Sequence, residues 1–202
     1  MVYNNRKGQK MVLYVTRHGE TDYNVLGKYC GSTDVALNDT GIGQAHELAW
    51  RMQGMKFDAV VSSPMLRARQ TADIVCASLN MQYSVYGQFA ERNVGVYEGL
   101  TRDEAKERYP HLWNRQCTRN PDDAPDGGET IRQVCGRIDC GMIELRRDFA
   151  GRTILLICHG FAARAVHRHC HNLSFDEMAG FVLGNCEIAV YTLEEQIQKK
   201  YY

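Results

Sequence analysis

Two short apolar runs in this chain end in the same dipeptide. Met11-Val12-Leu13-Tyr14-Val15-Thr16 leads through Arg17 into His18-Gly19, and Thr153-Ile154-Leu155-Leu156-Ile157-Cys158 leads into His159-Gly160. The second run is apolar throughout, as a strand covered on both faces should be. If the two are neighbours in a parallel sheet, both imidazoles emerge at one edge. In open α/β sheets that edge, past the carboxyl ends of the strands, is where ligands bind. The first run also delivers a cation at Arg17, a bare backbone at Gly19 and an amide at Asn24. Gly19 has no Cβ, so a ligand is expected to approach the main chain closely there. These parts can hold a phosphoryl group and attack it with a histidine.

The rest of the chain supplies alternating strands and helices. Residues 1–10 read as a loose lead-in and residues 24–39 as loop. Thr40 is placed to cap a helix running to about Met52, with Ile42, Ala45, Leu48, Ala49 and Met52 at helical spacing. A strand is expected over Phe57 to Ser62, then a helix over Met65 to Leu79 with Pro64 in its first turn. A weak strand at Tyr83 to Tyr86 and an irregular stretch over Gln88 to Gly99 follow. A polar helix from Arg102 is closed by Pro110, and His111 to Asp126 is ambiguous. Glu129 to Phe149 reads as a long helix with Ile131, Val134, Ile138, Met142, Ile143 and Leu145 on its apolar side, stopped by Gly151. After the run at Thr153 come a helix over Phe161 to Cys170, a last strand over Cys186 to Leu193 and a charged tail to Tyr202. This order argues a three-layer α/β/α sandwich with a mostly parallel sheet in one domain, residues 1–202.

Composition excludes several partners. Lys+Arg and Asp+Glu both number 24, so no global field recruits nucleic acid or anionic lipid. No run of about 18 apolar residues is present to span a membrane, and the polar start lacks the apolar core of a secretory signal. The 8 cysteines are scattered without a Cys-x-x-Cys pair, which reads as reduced thiols in a cytoplasmic protein.

Arg17-His18-Gly19-Glu20-x-x-x-Asn24 resembles the signature of the histidine phosphatase, or phosphoglycerate mutase-like, superfamily. The similarity extends through Gly31-x-x-Asp34, Leu37, Gly41 and Gln44-Ala45, then Ser62-Ser63-Pro64-x-x-Arg67-Ala68-x-Gln70-Thr71-Ala72. It continues in Glu91-x-x-x-Gly95-x-Tyr97-Glu98-Gly99, Pro125-x-Gly127-Gly128-Glu129-Thr130, His159-Gly160 and Asn185-Cys186. Tyr97 stands where tryptophan is common, and Ala36 and Asn38 where proline and threonine are usual. The resemblance implies a phosphoglycerate mutase-like fold and a small phosphorylated metabolite as substrate, with neither metal nor cofactor. It implies His18 as a nucleophile forming phosphohistidine, Arg17, Asn24, Arg67, His159 and Gly160 around the phosphoryl oxygens, and Glu91 as general acid and base. A carboxyl beside phosphate feels repulsion that raises its pKa and suits that task. Glu20 and Glu98 are the rival carboxylates, read as structural. Mutases of this family carry a longer insertion after the acid motif. The interval Arg92 to Asp126 is short, which favours a phosphatase over a mutase.

Rival readings rest on fewer residues. Cys158-x5-Arg164 has the spacing of a cysteine-dependent phosphatase loop, but Cys158 falls within an apolar run, where thiols are inert. His167, His169, Cys170 and His171 cluster in sequence without a second ligand group at zinc spacing. A non-catalytic binding module would have replaced one or more of Arg17, His18, Arg67, Glu91 and His159, and all five are present.

Overall fold

The computed structural model describes residues 10–194. Of the lead-in expected over 1–10, residues 1–9 lie outside them, as does the charged tail beyond Glu194. The chain order is β1 (Met11–Arg17), α1 (Asp22–Val25), α2 (Asp39–Arg51), β2 (Ala59–Ser62), α3 (Leu66–Leu79) and β3 (Tyr83–Val85). Then come α4 (Arg102–Arg108), α5 (Pro110–Asn114), α6 (Ile131–Asp148), β4 (Thr153–Cys158), α7 (Gly160–His171), α8 (Phe175–Met178) and β5 (Ile188–Leu193). The strands form a single sheet in the order β3-β2-β4-β1-β5. All neighbours are parallel except β5, which runs antiparallel to β1 at the edge.

Side chains alternate across the sheet, and each face has its own core. Leu13, Val15, Ile154 and Leu156 pack with Val134, Ile138 and Met142 of α6 and Ala162 and Val166 of α7. On the other face Val60, Leu155 and Ile157 pack with Leu48 and Met52 beside α2 and with Ala68, Ala72 and Val75 of α3. The result is the three-layer sandwich. Five of the six residues of β4 are buried, as its unbroken apolar run requires. A smaller third cluster of Val94, Tyr97, Ala105, Leu112 and Cys117 lies under the excursion between β3 and α6.

Several boundaries differ from the sequence reading, each for a local reason. Asn38, not Thr40, caps α2, its side chain accepting from the Gly41 N–H at 2.8 Å. Within residues 24–39 the chain first closes a short helical turn, because Thr21 and Asn24 form a reciprocal capping box. Pro64 stands before α3, where Met65 is the cap. Phe57 stays outside β2 and meets Tyr14 edge-on at 5.2 Å. Pro110 closes α4 and also opens α5 at its first turn. The irregular stretch holds two 3₁₀ turns, Gly87–Phe89 and Gly95–Tyr97. Cys186 sits at φ 55°, so β5 begins only at Ile188. α8 was not expected at all; Ser174 and Glu177 cap it reciprocally. Ile42 and Ile143 keep helical spacing but face solvent, at 39% and 64% exposure.

The two faces of α6 therefore predict opposite outcomes from the core they meet. Leu156→Ala, within the core under α6, should cost about 2–5 kcal/mol of unfolding free energy. Ile143→Ala should cost less than about 0.5 kcal/mol. Urea denaturation of the two variants checks both.

Candidate active site

β1 and β4 pair in register with Arg17 opposite Cys158, so the next residue of each strand leaves the sheet at the same level. The His18 N–H donates to the Cys158 carbonyl at 3.0 Å, and the rings of His18 and His159 lie 5.1 Å apart, centre to centre. Both histidines are buried. The sheet thus brings together the two imidazoles that the twin His-Gly pattern predicts.

The hydrogen bonds fix the tautomer of His18. Its Nδ1 lies 2.6 Å from the Gly19 carbonyl, which can only accept, so Nδ1 carries the proton. Nε2 then presents a lone pair, and the Arg67 Nε–H donates to it at 3.2 Å. Burial, and then the positive charges of Arg67 and Arg17, hold the His18 pKa well below the usual histidine range; the Gly19 bond acts the other way and is outweighed. Burial and the same cations, with His18 itself, do likewise to His159. Two neutral imidazoles inside a cationic cup are the consequence.

The cup is built from both arginines expected there. Arg67 is fully buried in the first turn of α3, and its guanidinium donates to the Thr33 and Gly31 carbonyls, each at 2.9 Å. Arg17 Nη1 donates to the Leu183 carbonyl at 3.4 Å, while Arg17 Nε is buried without a protein partner among the described residues. Burial lowers the Arg17 pKa; the Glu91 charge opposes this and the Arg67 charge adds to it. His159 Nε2 shares a 2.6 Å hydrogen bond with Ser63 Oγ, and its Nδ1 likewise has no described protein partner. Asn24 Oδ1 accepts from the Thr21 N–H and from Asn185 Nδ2, which leaves Nδ2 of Asn24 as the donor available to a ligand. Gly160 is the first residue of α7, where main-chain N–H groups have no intrahelical acceptor. Orphaned donors next to two guanidiniums suit a tetrahedral oxyanion.

Glu91 lies on the rim. Its Oε2 accepts from the Phe161 N–H at 3.1 Å, which ties it to the residue after Gly160. Arg137 holds the strip that carries it, donating to the carbonyls of Gln88, Ala90 and Glu91 at 2.8 to 2.9 Å and pairing with Glu129. The two rival carboxylates have other work. Glu20 accepts from Asn38 Nδ2 at 3.1 Å beside the α2 cap. Glu98 accepts from Ser32, Thr33 and Val94. Burial would raise the Glu98 pKa, but these hydrogen bonds outweigh it and hold the carboxyl below the ordinary range.

One expected reason was wrong. Gly19 does not open the main chain to a ligand: a Cβ there would collide with the Gly41 carbonyl, and one on Gly41 with the Glu20 main chain. The two glycines let the signature loop lie directly on the N-terminus of α2. Three contributors carry no role in the sequence reading, and Glu98 is read there only as structural. Ser63 orients His159; Asn185 donates to the His18 carbonyl at 2.8 Å; Arg137 fixes the Glu91 strip; Glu98 braces the loop whose carbonyls seat Arg67. Ser63, Asn185 and Glu98 stand in the quoted motifs, so position was the available signal.

The rivals separate cleanly. Cys158 is fully buried, and burial drives its thiol pKa far up, which suppresses the thiolate. His167 stacks on Phe181 at 4.0 Å and bonds Tyr191, and His169 bonds Asp139. Among the described residues, no group of three or more His, Cys, Asp or Glu side chains is placed to hold a metal ion.

Neutral buried histidines have a measurable signature. The ring signals of His18 and His159 should not titrate around pH 6.5 in NMR spectra, where an ordinary histidine does. As pH falls below that value the unfolded chain takes up protons that these two refuse when folded. Unfolding free energy should therefore decline with acidification from about pH 6.5.

Comparison with known proteins shows the family and the fold. The family model described as histidine phosphatase superfamily (branch 1) matches residues 13–199. An acid phosphatase from Mycobacterium tuberculosis is 32% identical over 192 residues, covering 93% of this chain and 89% of the relative. A phosphoglycerate mutase from Schizosaccharomyces pombe is 28% identical over 191 residues, covering 91% and 90%. Among solved structures, mycobacterial glucosyl-3-phosphoglycerate phosphatase superposes with a TM-score of 0.80 at 26% identity, covering 90% of each chain.

Proposed function

Because this chain belongs to the histidine phosphatase superfamily, branch 1, and is a phosphatase of that family, we propose that it hydrolyses small phosphate monoesters through a phosphohistidine at His18. The observation that carries this reading is the tautomer: Nδ1–H is spent on the Gly19 carbonyl, and the basic nitrogen faces the cup.

The chemistry follows from the site. Nε2 of His18 attacks phosphorus in line, the P–O bond to the alcohol breaks, and Glu91 gives its proton to the departing oxygen. The retained Nδ1–H···O bond favours the positive ring that the phosphorylated histidine becomes. Glu91, now a carboxylate, takes a proton from water as the water oxygen attacks phosphorus. Inorganic phosphate leaves and His18 is restored. Arg17, Arg67, Asn24, His159 and the start of α7 at Gly160 hold the three equatorial oxygens throughout, where charge is spread. With Ser63 donating to Nε2, His159 Nδ1–H is free to donate to one of them. No step calls for a metal or cofactor.

A small phosphorylated metabolite is the substrate class in this reading. The whole chain acts as one histidine phosphatase domain. We place it in the cytoplasm, because all eight cysteines are free and a reducing compartment keeps them so. No helix among the described residues is long and apolar enough to cross a membrane.

Two measurements test the assignment. Rapid quench during turnover of a phosphomonoester should trap one phosphoryl group on the peptide containing His18, and His18→Ala should lower kcat on the order of 10³-fold or more. Cys158→Ser should still yield the phosphopeptide; turnover lost only in that variant would overturn the reading. Incubation with phosphoglycerates should release phosphate, whereas efficient interconversion without release would assign a mutase.

A further inference from the structure

A cavity of about 450 Å³ lies against α7, with Phe161 and Arg164 of that helix in its lining. Phe161, Phe175 and Met178 give it apolar walls; Arg119 and Arg164 bring two guanidiniums and Asp176 one carboxylate. Its place relative to the chemistry is set by one hydrogen bond. The leaving oxygen must depart opposite His18 and beside the acid. Glu91 is bound to the main chain of Phe161 at 3.1 Å, so the alcohol part of the substrate leaves next to Phe161. The Phe161 ring is a wall of the cavity.

The size and lining then say what that part is. A phosphoryl group fills only the cup, and a space of this volume is of the order that holds a whole small ligand. Arg164 is one turn beyond Phe161. Its Nε donates to the Phe181 carbonyl at 2.9 Å, which anchors the side chain, and its guanidinium lies 5.7 Å from the Phe161 ring centre. Arg92 approaches the same ring at 5.3 Å. Among the described residues neither Arg119 nor Arg164 forms an ion pair with a carboxylate, whereas Arg115, Arg132, Arg137 and Arg168 do. Two guanidiniums, one of them anchored over an aromatic ring, against the single lining carboxylate of Asp176 leave the cavity cationic even with the Glu91 charge acting on Arg164, which suits an anion on an organic body that rests on the ring.

We propose that this cavity is the subsite for the alcohol part of the substrate. It selects phosphate monoesters of about sugar size that carry a second anion, carboxylate or phosphate, held by Arg164 and Arg119 while the body lies against Phe161 and Phe175. This rests on the phosphatase reading, and the test separates the two. Binding is measured by calorimetry at about 0.15 M salt on the His18→Ala protein, which cannot turn over. The probes are glucose 6-phosphate, 6-phosphogluconate and fructose 1,6-bisphosphate. The second and third should bind at least about tenfold tighter than the first. A preference for one of those two identifies the second anion as carboxylate or phosphate. Arg164→Gln, and separately the exposed Arg119→Gln, should remove most of the difference. Equal affinity for all three esters, or a difference that survives both substitutions, overturns the subsite. Phosphate release by the unsubstituted enzyme is followed with the same three esters. Selective binding without release overturns hydrolysis and leaves the subsite standing.

Discussion

The register of β1 on β4 is the constraint on which the site depends. Side chains on a strand alternate, so a slip of one residue would send one imidazole to the other face of the sheet. Two features make such a slip costly. β4 is apolar on both sides and lies between two helical layers, so each of its residues from Ile154 to Cys158 has an assigned core. The hydrogen bond from the His18 N–H to the Cys158 carbonyl extends the ladder one residue past the strand. The histidines are therefore placed by the same burial that folds the sheet. Function takes what the core has already fixed.

Placing cations there has an electrostatic cost, and its management explains much of the surrounding structure. Arg67 is wholly buried and has no carboxylate partner among the described residues. It is compensated instead by carbonyl oxygens of Gly31 and Thr33. Oxygen dipoles stabilise a guanidinium without cancelling its charge, so the cup stays attractive to phosphate. Burial, reinforced by the same field, keeps both histidines neutral, which a nucleophile requires. A carboxylate at that position would make Arg67 easier to bury and would defeat both purposes. Glu98 acts one step away: its oxygens grip Ser32 and Thr33, so the charge organises the carbonyls and not the guanidinium.

Much of this was legible in the sequence because it depends on local pattern. The twin His-Gly ends, the unbroken apolar run of β4 and the alternation of strands with helices gave the sandwich and its active edge. What failed was decided by tertiary context. Thr40 and Asn38 are both good caps by type, and only the fold of the preceding loop selects Asn38. Ile143 obeys the α6 periodicity, yet nothing packs over that part of the helix. Gly19 was read as space for a ligand and proved to be space for Gly41, since a glycine's vacancy does not say what approaches it. Of the site, the residues proposed to face a phosphoryl group stand in motifs, as do Ser63, Asn185 and Glu98 that hold them. Arg137 stands in none: it acts through main-chain carbonyls and leaves no chemical signature of its own in sequence.

The excursion between β3 and α6 joins these strands of the argument. It carries Glu91 at its start and lines the cavity with Thr118 and Arg119. It is also bound to the loop that seats Arg67: Tyr29 exchanges main-chain hydrogen bonds with Gly99 and Leu100, its ring lies 5.5 Å from that of Tyr97, and Glu98 spans to Ser32 and Thr33. The proposed acid, the proposed leaving-group side and the loop that seats Arg67 therefore meet at one small cluster of contacts outside the main sandwich. In the proposed reading the chemistry is thus anchored in the register of two strands, and selectivity resides in a separate cluster packed outside the main sandwich.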